Sequence, residues 1–122
     1  MKLRIKGPSI RLRLTQSEVA GFAETGLWQE MTPMPGGMLT YKLQRSAEVK
    51  GLEARWEAPS LTVFVPDSAA DAWTSTEEIS MRGEIQLESG EALKLLVEKD
   101  FACLDNTEED QSDNYPNPHA TC

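Results

Sequence analysis

Both cysteines and the only histidine of this 122-residue chain fall within its last 20 residues, at Cys103, His119 and Cys122, and Asp105 follows Cys103 by two positions. Thiolate, imidazole and carboxylate together are a donor set that suits zinc or another transition metal. The intervals, fifteen residues and then two, lack the paired short spacings of a zinc finger or ribbon. A bound metal would give a polar segment a reason to fold, because binding free energy becomes folding free energy. Three other readings stand beside this one. Cys103 can be a small apolar residue beside the last strand, His119 and Cys122 can belong to a disordered end, and Cys103 can pair with Cys122 in a disulfide, which a reducing cytosol disfavours.

The second constellation is cationic. Lys2, Arg4, Lys6, Arg11, Arg13, Lys42, Arg55 and Lys94 alternate with apolar residues, and Arg82 follows Met81 in the same manner. In a strand, successive side chains point to opposite faces, so these cations share the face turned away from the core. A cleft so lined would hold an anionic or phosphorylated small molecule, because a guanidinium offers two parallel donors to a carboxylate or phosphate. The candidate contacts are Arg4, Arg11, Arg13, Arg55 and Lys94. Glu53, Glu57 and Glu84 lie on the same face and offset part of its charge. The competing readings are a solvated face with cross-strand ion pairs worth about 0.2–1 kcal/mol each, or a face covered by the acidic C-terminal segment. Catalysis finds less support. One histidine in the C-terminal segment has no fixed serine and carboxylate partners, and Gly36-Gly37 reads as a hairpin turn instead of a phosphate-cradling loop.

Composition bounds the partners. The formal net charge is −8, which argues against nucleic acid. Residues 98–122 hold seven acids against Lys99 alone, a net −6. The remainder carries only −2, and Lys2, Arg4, Lys6, Arg11 and Arg13 open the chain with no acid among them. No apolar run approaches the ~20 residues of a membrane span, and the alternating start has no signal-peptide core. The expectation is a soluble cytoplasmic binding or interaction domain whose C-terminal tail folds back and can hold a transition metal; the alternative is an enzyme or sensor that takes a phosphorylated or anionic small molecule on the basic face. Neither nucleic acid nor membrane is an expected partner; an anionic small molecule or another protein is.

The elements that must position these groups occur twice. Ile10–Leu14 runs into a helical segment that reaches Phe22, and Leu61–Val65 into one that reaches Trp73, an offset of 61 − 10 = 51. At that offset Pro8 meets Pro59, Ser9 meets Ser60, Leu12 meets Val63 and Leu14 meets Val65. Leu39, Tyr41 and Leu43 meet Leu93, Leu95 and Val97 at 93 − 39 = 54. Thr15-Gln16-Ser17-Glu18 has the form of a capping box, predicting a helix over 16–25 with Gly26 as its stop. Asp67 is the predicted cap of the second helix. Leu3, Ile5, Ile10, Leu12 and Leu14 form the predicted core face of the first two strands.

The fold expected is α+β: two strand-strand-helix-strand-strand repeats, 2–45 and 52–98, in one domain over 1–101. They would form a mostly antiparallel, curled or barrel-like sheet of about eight strands with two helices. An acidic tail over 102–122 is expected to be extended unless it folds back and is pinned.

The opening Met1-Lys2-Leu3-Arg4-Ile5-Lys6, the run Ser9–Val19 and the stretch Val97–Asp105 resemble a small bacterial family of uncharacterised proteins across nearly the whole chain. The repeated β-rich plan is also similar in outline to triphosphate-tunnel proteins, whose first strand alternates Glu-x-Glu-x-Lys. Here that strand is Lys2-Leu3-Arg4-Ile5-Lys6, without either glutamate. That resemblance implies architecture alone.

Overall fold

The computed structural model describes residues 1–101 together with Asp113, Tyr115 and Pro116. Alternation at Lys2–Ile5 and Ser9–Leu14 produces strands β1 and β2, followed by helix α1 at Gln16–Thr25. β3 spans Leu27–Met34, β4 Gly37–Ser46, β5 Glu53–Glu57 and β6 Ser60–Pro66. Helix α2 covers Asp67–Ser75, and β7 (Ser80–Gln86) and β8 (Ala92–Lys99) complete the order. No helix among the described residues is long and apolar enough to cross a membrane.

The helix boundaries have local causes. The Thr15 amide donates to Glu18 Oε1 at 2.9 Å, closing the capping box. Gly26 ends α1 at φ 79°, a left-handed geometry in which a Cβ would be strained. The α2 cap is Pro66, not Asp67. Asp67 is instead the first helical residue, where Arg45 Nε donates to its Oδ1 at 2.7 Å. Arg45 also reaches Asp71 at 2.8 Å, and these two carboxylates raise the guanidinium pKa.

The eight strands divide between two four-stranded sheets, ordered β1-β2-β8-β7 and β3-β4-β6-β5. Four ladders are antiparallel hairpins, while β2–β8 and β4–β6 run parallel through the middle of each sheet. Advancing every strand of the first order by four places, with β8 returning to β4, reproduces the second. Burial follows the same relation. Met1 and Leu52, Ile10 and Leu61, Leu12 and Val63, Leu14 and Val65, Val19 and Ala70, and Phe22 and Trp73 are each buried at corresponding positions. Phe22 and Trp73 also touch one another edge to face, centroids 6.1 Å apart, where α1 meets α2.

Both sheets and both helices contribute to one core. The sheets do not share a ladder; their edges meet at seams. At one seam Tyr41 donates to the Met1 carbonyl at 2.9 Å and the Met1 ammonium pairs with Glu18 and Glu30. At the other, Gly83 passes so close to Leu52 that a Cβ on it would lie 2.6 Å from the leucine Cβ.

Ile5 departs from its expected place in the core and is 61% exposed, as is Trp56 at the corresponding position of β5. Both stand on edge strands, and the main helix packing falls on β2, β3, β4, β6 and β7. β3 continues through Pro33 because it too is an edge strand, where a missing N–H costs no ladder bond.

Candidate functional site

The β1-β2-β8-β7 sheet turns its charged face outward. Leu12 and Leu14 are buried while Arg11 and Arg13 between and beside them are half-exposed, so strand parity assigns the arginines to the outer side. Register then fixes their neighbours. Arg4 opposes Arg11 across β1–β2, Arg11 opposes Leu96 across β2–β8, and Leu96 opposes Arg82 across β8–β7. One cross-strand row therefore reads Arg4, Arg11, Leu96, Arg82. The next row toward the β1–β2 turn contains Ser9, Lys94 and Glu84.

These two rows line a cleft of about 540 Å³, to which Lys6 also contributes. Among the described residues, five cations, Arg4, Lys6, Arg11, Arg82 and Lys94, line it against Glu84 as the one acid. Arg11 is held in place: its Nε donates to Glu98 Oε1 at 2.6 Å, and its Nη2 reaches the same oxygen. No ion pair joins Arg4, Lys6, Arg82 or Lys94 to an acid among the described residues.

Arg13 lies one row farther along. Its Nη2 is 3.2 Å from Asp100 Oδ1 and its Nε 3.3 Å from Glu98 Oε1, and Lys2 Nζ reaches Asp100 Oδ2 at 3.2 Å. The Asp100 side chain is 3% exposed, so a buried carboxylate matches the charge of the partly exposed Arg13 and Lys2. Arg55 is on the other sheet, stacked over Phe64 with its guanidinium carbon 5.2 Å from the ring centroid. Of the five sequence candidates, the fold thus brings Arg4, Arg11 and Lys94 together and sets Arg13 and Arg55 apart. Lys6 and Arg82, read in the sequence only as part of the wider basic face, join the cleft. Leu96 carried a legible signal: it is an apolar residue on the outward parity of β8.

The second sheet supplies an internal comparison. The row corresponding to Arg4, Arg11, Leu96 and Arg82 is Arg55, Thr62, Lys42 and Gln29. Two arginines are absent from it, and Thr62 is buried. The two outer faces have the same strand scheme and different charge.

Cys103, Asp105, His119 and Cys122 lie outside the described residues. Among the described residues no group of three or more His, Cys, Asp or Glu side chains is placed to hold a metal. Asp113 and Tyr115 have clear partners. The Asp113 carboxylate accepts from the Ser17 amide at 3.1 Å and the Ser17 hydroxyl at 2.5 Å, and its carbonyl accepts from the Gln16 amide at 2.9 Å. Hydrogen bonds from Ser17 and Thr15 lower its pKa, as suits an acid at a helix N-terminus. The Tyr115 amide donates to the Asp100 carbonyl at 2.9 Å, and the Tyr115 and Phe101 rings lie 5.3 Å apart. Lys99 Nζ sits 5.4 Å from the Tyr115 ring and 5.8 Å from the Trp73 ring, and donates to the Thr76 carbonyl at 2.9 Å. Its burial lowers its pKa.

The chain belongs to the Family of unknown function (DUF7009), which matches residues 1–119. No curated protein and no solved structure shows significant similarity to it.

Proposed function

We propose that this family member is a binding domain for an anionic, phosphate- or carboxylate-bearing small molecule, held in the basic cleft of the β1-β2-β8-β7 sheet. The observation that carries this reading is the Arg4–Arg11–Leu96–Arg82 row. Like charges directly opposed across a ladder destabilise a sheet. A row that keeps two such arginines and adds a third two strands away is poorly suited to stability alone and well suited to an anion.

Binding is favoured over catalysis by the lining. Among the described residues it contains neither histidine nor cysteine. Its Ser9 hydroxyl already donates to the Lys6 carbonyl at 2.7 Å. The corresponding rows of the two sheets support a further step: the halves descend from one duplicated unit whose two outer faces have since diverged in charge. A transition metal on Cys103, Asp105, His119 and Cys122 rests on residue types alone; metal analysis of the reduced protein, with Cys122→Ala as control, tests it.

Thermal shift against phosphate, pyrophosphate and citrate tests the cleft, because a ligand that binds only the folded state raises Tm. A concentration-dependent rise that Arg11→Ala abolishes is expected. No rise with any of the three, or one unchanged in Arg11→Ala, would overturn the proposal.

A further inference from the structure

The cations of the cleft are not one cluster. Along the central row, Arg4 and Arg11 stand on adjacent strands, Leu96 occupies the third strand, and Arg82 the fourth. With adjacent strands about 4.8 Å apart, Arg11 and Arg82 are rooted roughly 10 Å from one another, and Arg4 and Arg82 roughly 14 Å. Between them the floor is apolar: Leu96 is half-exposed in the middle of the row. Hydrated phosphate gathered by one arginine pair would leave Leu96 facing water and Arg82 without an anion.

We propose, building on the anion-binding reading above, that the ligand is an elongated dianion: two anionic groups joined by an apolar middle. One anionic group sits between Arg4 and Arg11, the apolar body lies on Leu96, and the second anionic group reaches Arg82. Arg11 is pre-set for this, since Glu98 fixes its Nε at 2.6 Å and so lowers the ordering cost of binding. Glu84, which opposes Lys94 in register, sets the boundary on that side. Its carboxylate offsets the charge of Lys94 in that row, which leaves most of the net positive charge along the arginine row. The cleft volume, about 540 Å³, is in the range of small-molecule sites.

Calorimetric titration of the unmodified protein with methylphosphonate and with methylene-, butane-, hexane- and octane-bisphosphonate separates the possibilities. The two-anchor ligand predicts that affinity rises with spacer length by at least about tenfold over methylphosphonate, because the second contact becomes intramolecular. Methylenebisphosphonate, with comparable charge and no reach, should miss that gain. Arg82→Gln, at an exposed position, should reduce the long bisphosphonates to the affinity of the short one, and Leu96→Asn should erase the preference for the alkane spacer. Equal affinity across the series, still sensitive to Arg11→Ala, would overturn the elongated dianion and leave the cleft an anion site. Absence of binding by every phosphonate would overturn both.

Discussion

Replacing Arg4 with threonine should stabilise the ligand-free protein and weaken its hold on anions. Arg4 and Arg11 are direct partners in the β1–β2 ladder. Directly opposed like charges destabilise a ladder, here taken at the scale of other cross-strand pairs, about 0.2–1 kcal/mol, and threonine is a good strand former. Arg11 is already engaged by Glu98, which offsets part of the repulsion. About 0.5 kcal/mol of relief is the reasonable middle, equivalent to roughly 2–4 °C in Tm for a domain near 100 residues. Scanning calorimetry in phosphate-free buffer at low ionic strength would read it. The gain should shrink as salt is added, since the screening length falls from about 30 Å at 0.01 M to about 8 Å at 0.15 M. Adding phosphate should then raise Tm of the parent protein more than that of Arg4→Thr, closing or reversing the gap. A lower Tm for Arg4→Thr in the phosphate-free, low-salt buffer would refute the reasoning, because it would make Arg4 a stabilising member of the sheet.

Three further outcomes follow from the packing and from the two chain ends. Trp73→Ala removes a fully buried ring that meets Phe22 and leaves the Ile79 carbonyl without its indole donor, so urea unfolding should show a loss of about 3–5 kcal/mol, with Phe22→Ala in the same range. Burial pushes the Glu30 carboxyl up, but hydrogen bonds from the Met1 ammonium at 2.5 Å and the Trp28 indole at 3.0 Å outweigh it and leave its pKa below the ordinary 4.5. A depressed carboxyl stabilises the fold above its unfolded value, and that contribution is lost as pH falls from 4.5 through the folded value; Tm measured from pH 7 to 3 should therefore fall less steeply for Glu30→Gln in this acidic window. Asp113→Ala should speed hydrogen exchange at the Ser17 amide, which loses its carboxylate acceptor, more than at Gln16, whose acceptor is the Asp113 backbone carbonyl that alanine keeps.

Strand parity and turn chemistry made much of this fold legible. The Thr15–Glu18 box, the Gly26 stop and the paired positions from Ile10/Leu61 to Phe22/Trp73 are all local patterns, and local patterns survive in a single sequence. The two parallel ladders are different. β2 and β8 are separated by most of the chain, and nothing in either strand's alternation names the other as its neighbour. That pairing decides the site. It brings Leu96 and Lys94 beside Arg11, and it delivers Glu98 and Asp100 to Arg11 and Arg13. Parity alone put Arg55 on an outer face without saying which sheet owned it. It also put Ile5 inward without showing that an edge strand would leave it uncovered. The Asp67 cap failed for a comparable reason: the parallel β4–β6 pairing, which the sequence does not announce, sets Arg45 beside that carboxylate.

The most direct test is an amide chemical-shift titration with hexane-bisphosphonate, recorded on the intact chain. Saturable shifts gathered at Arg4, Arg11, Leu96, Arg82 and Lys94, with the matching row Gln29, Lys42, Arg55 and Thr62 unmoved, are the predicted result. Shifts that fail to saturate, or that fall equally on both rows, would contradict it.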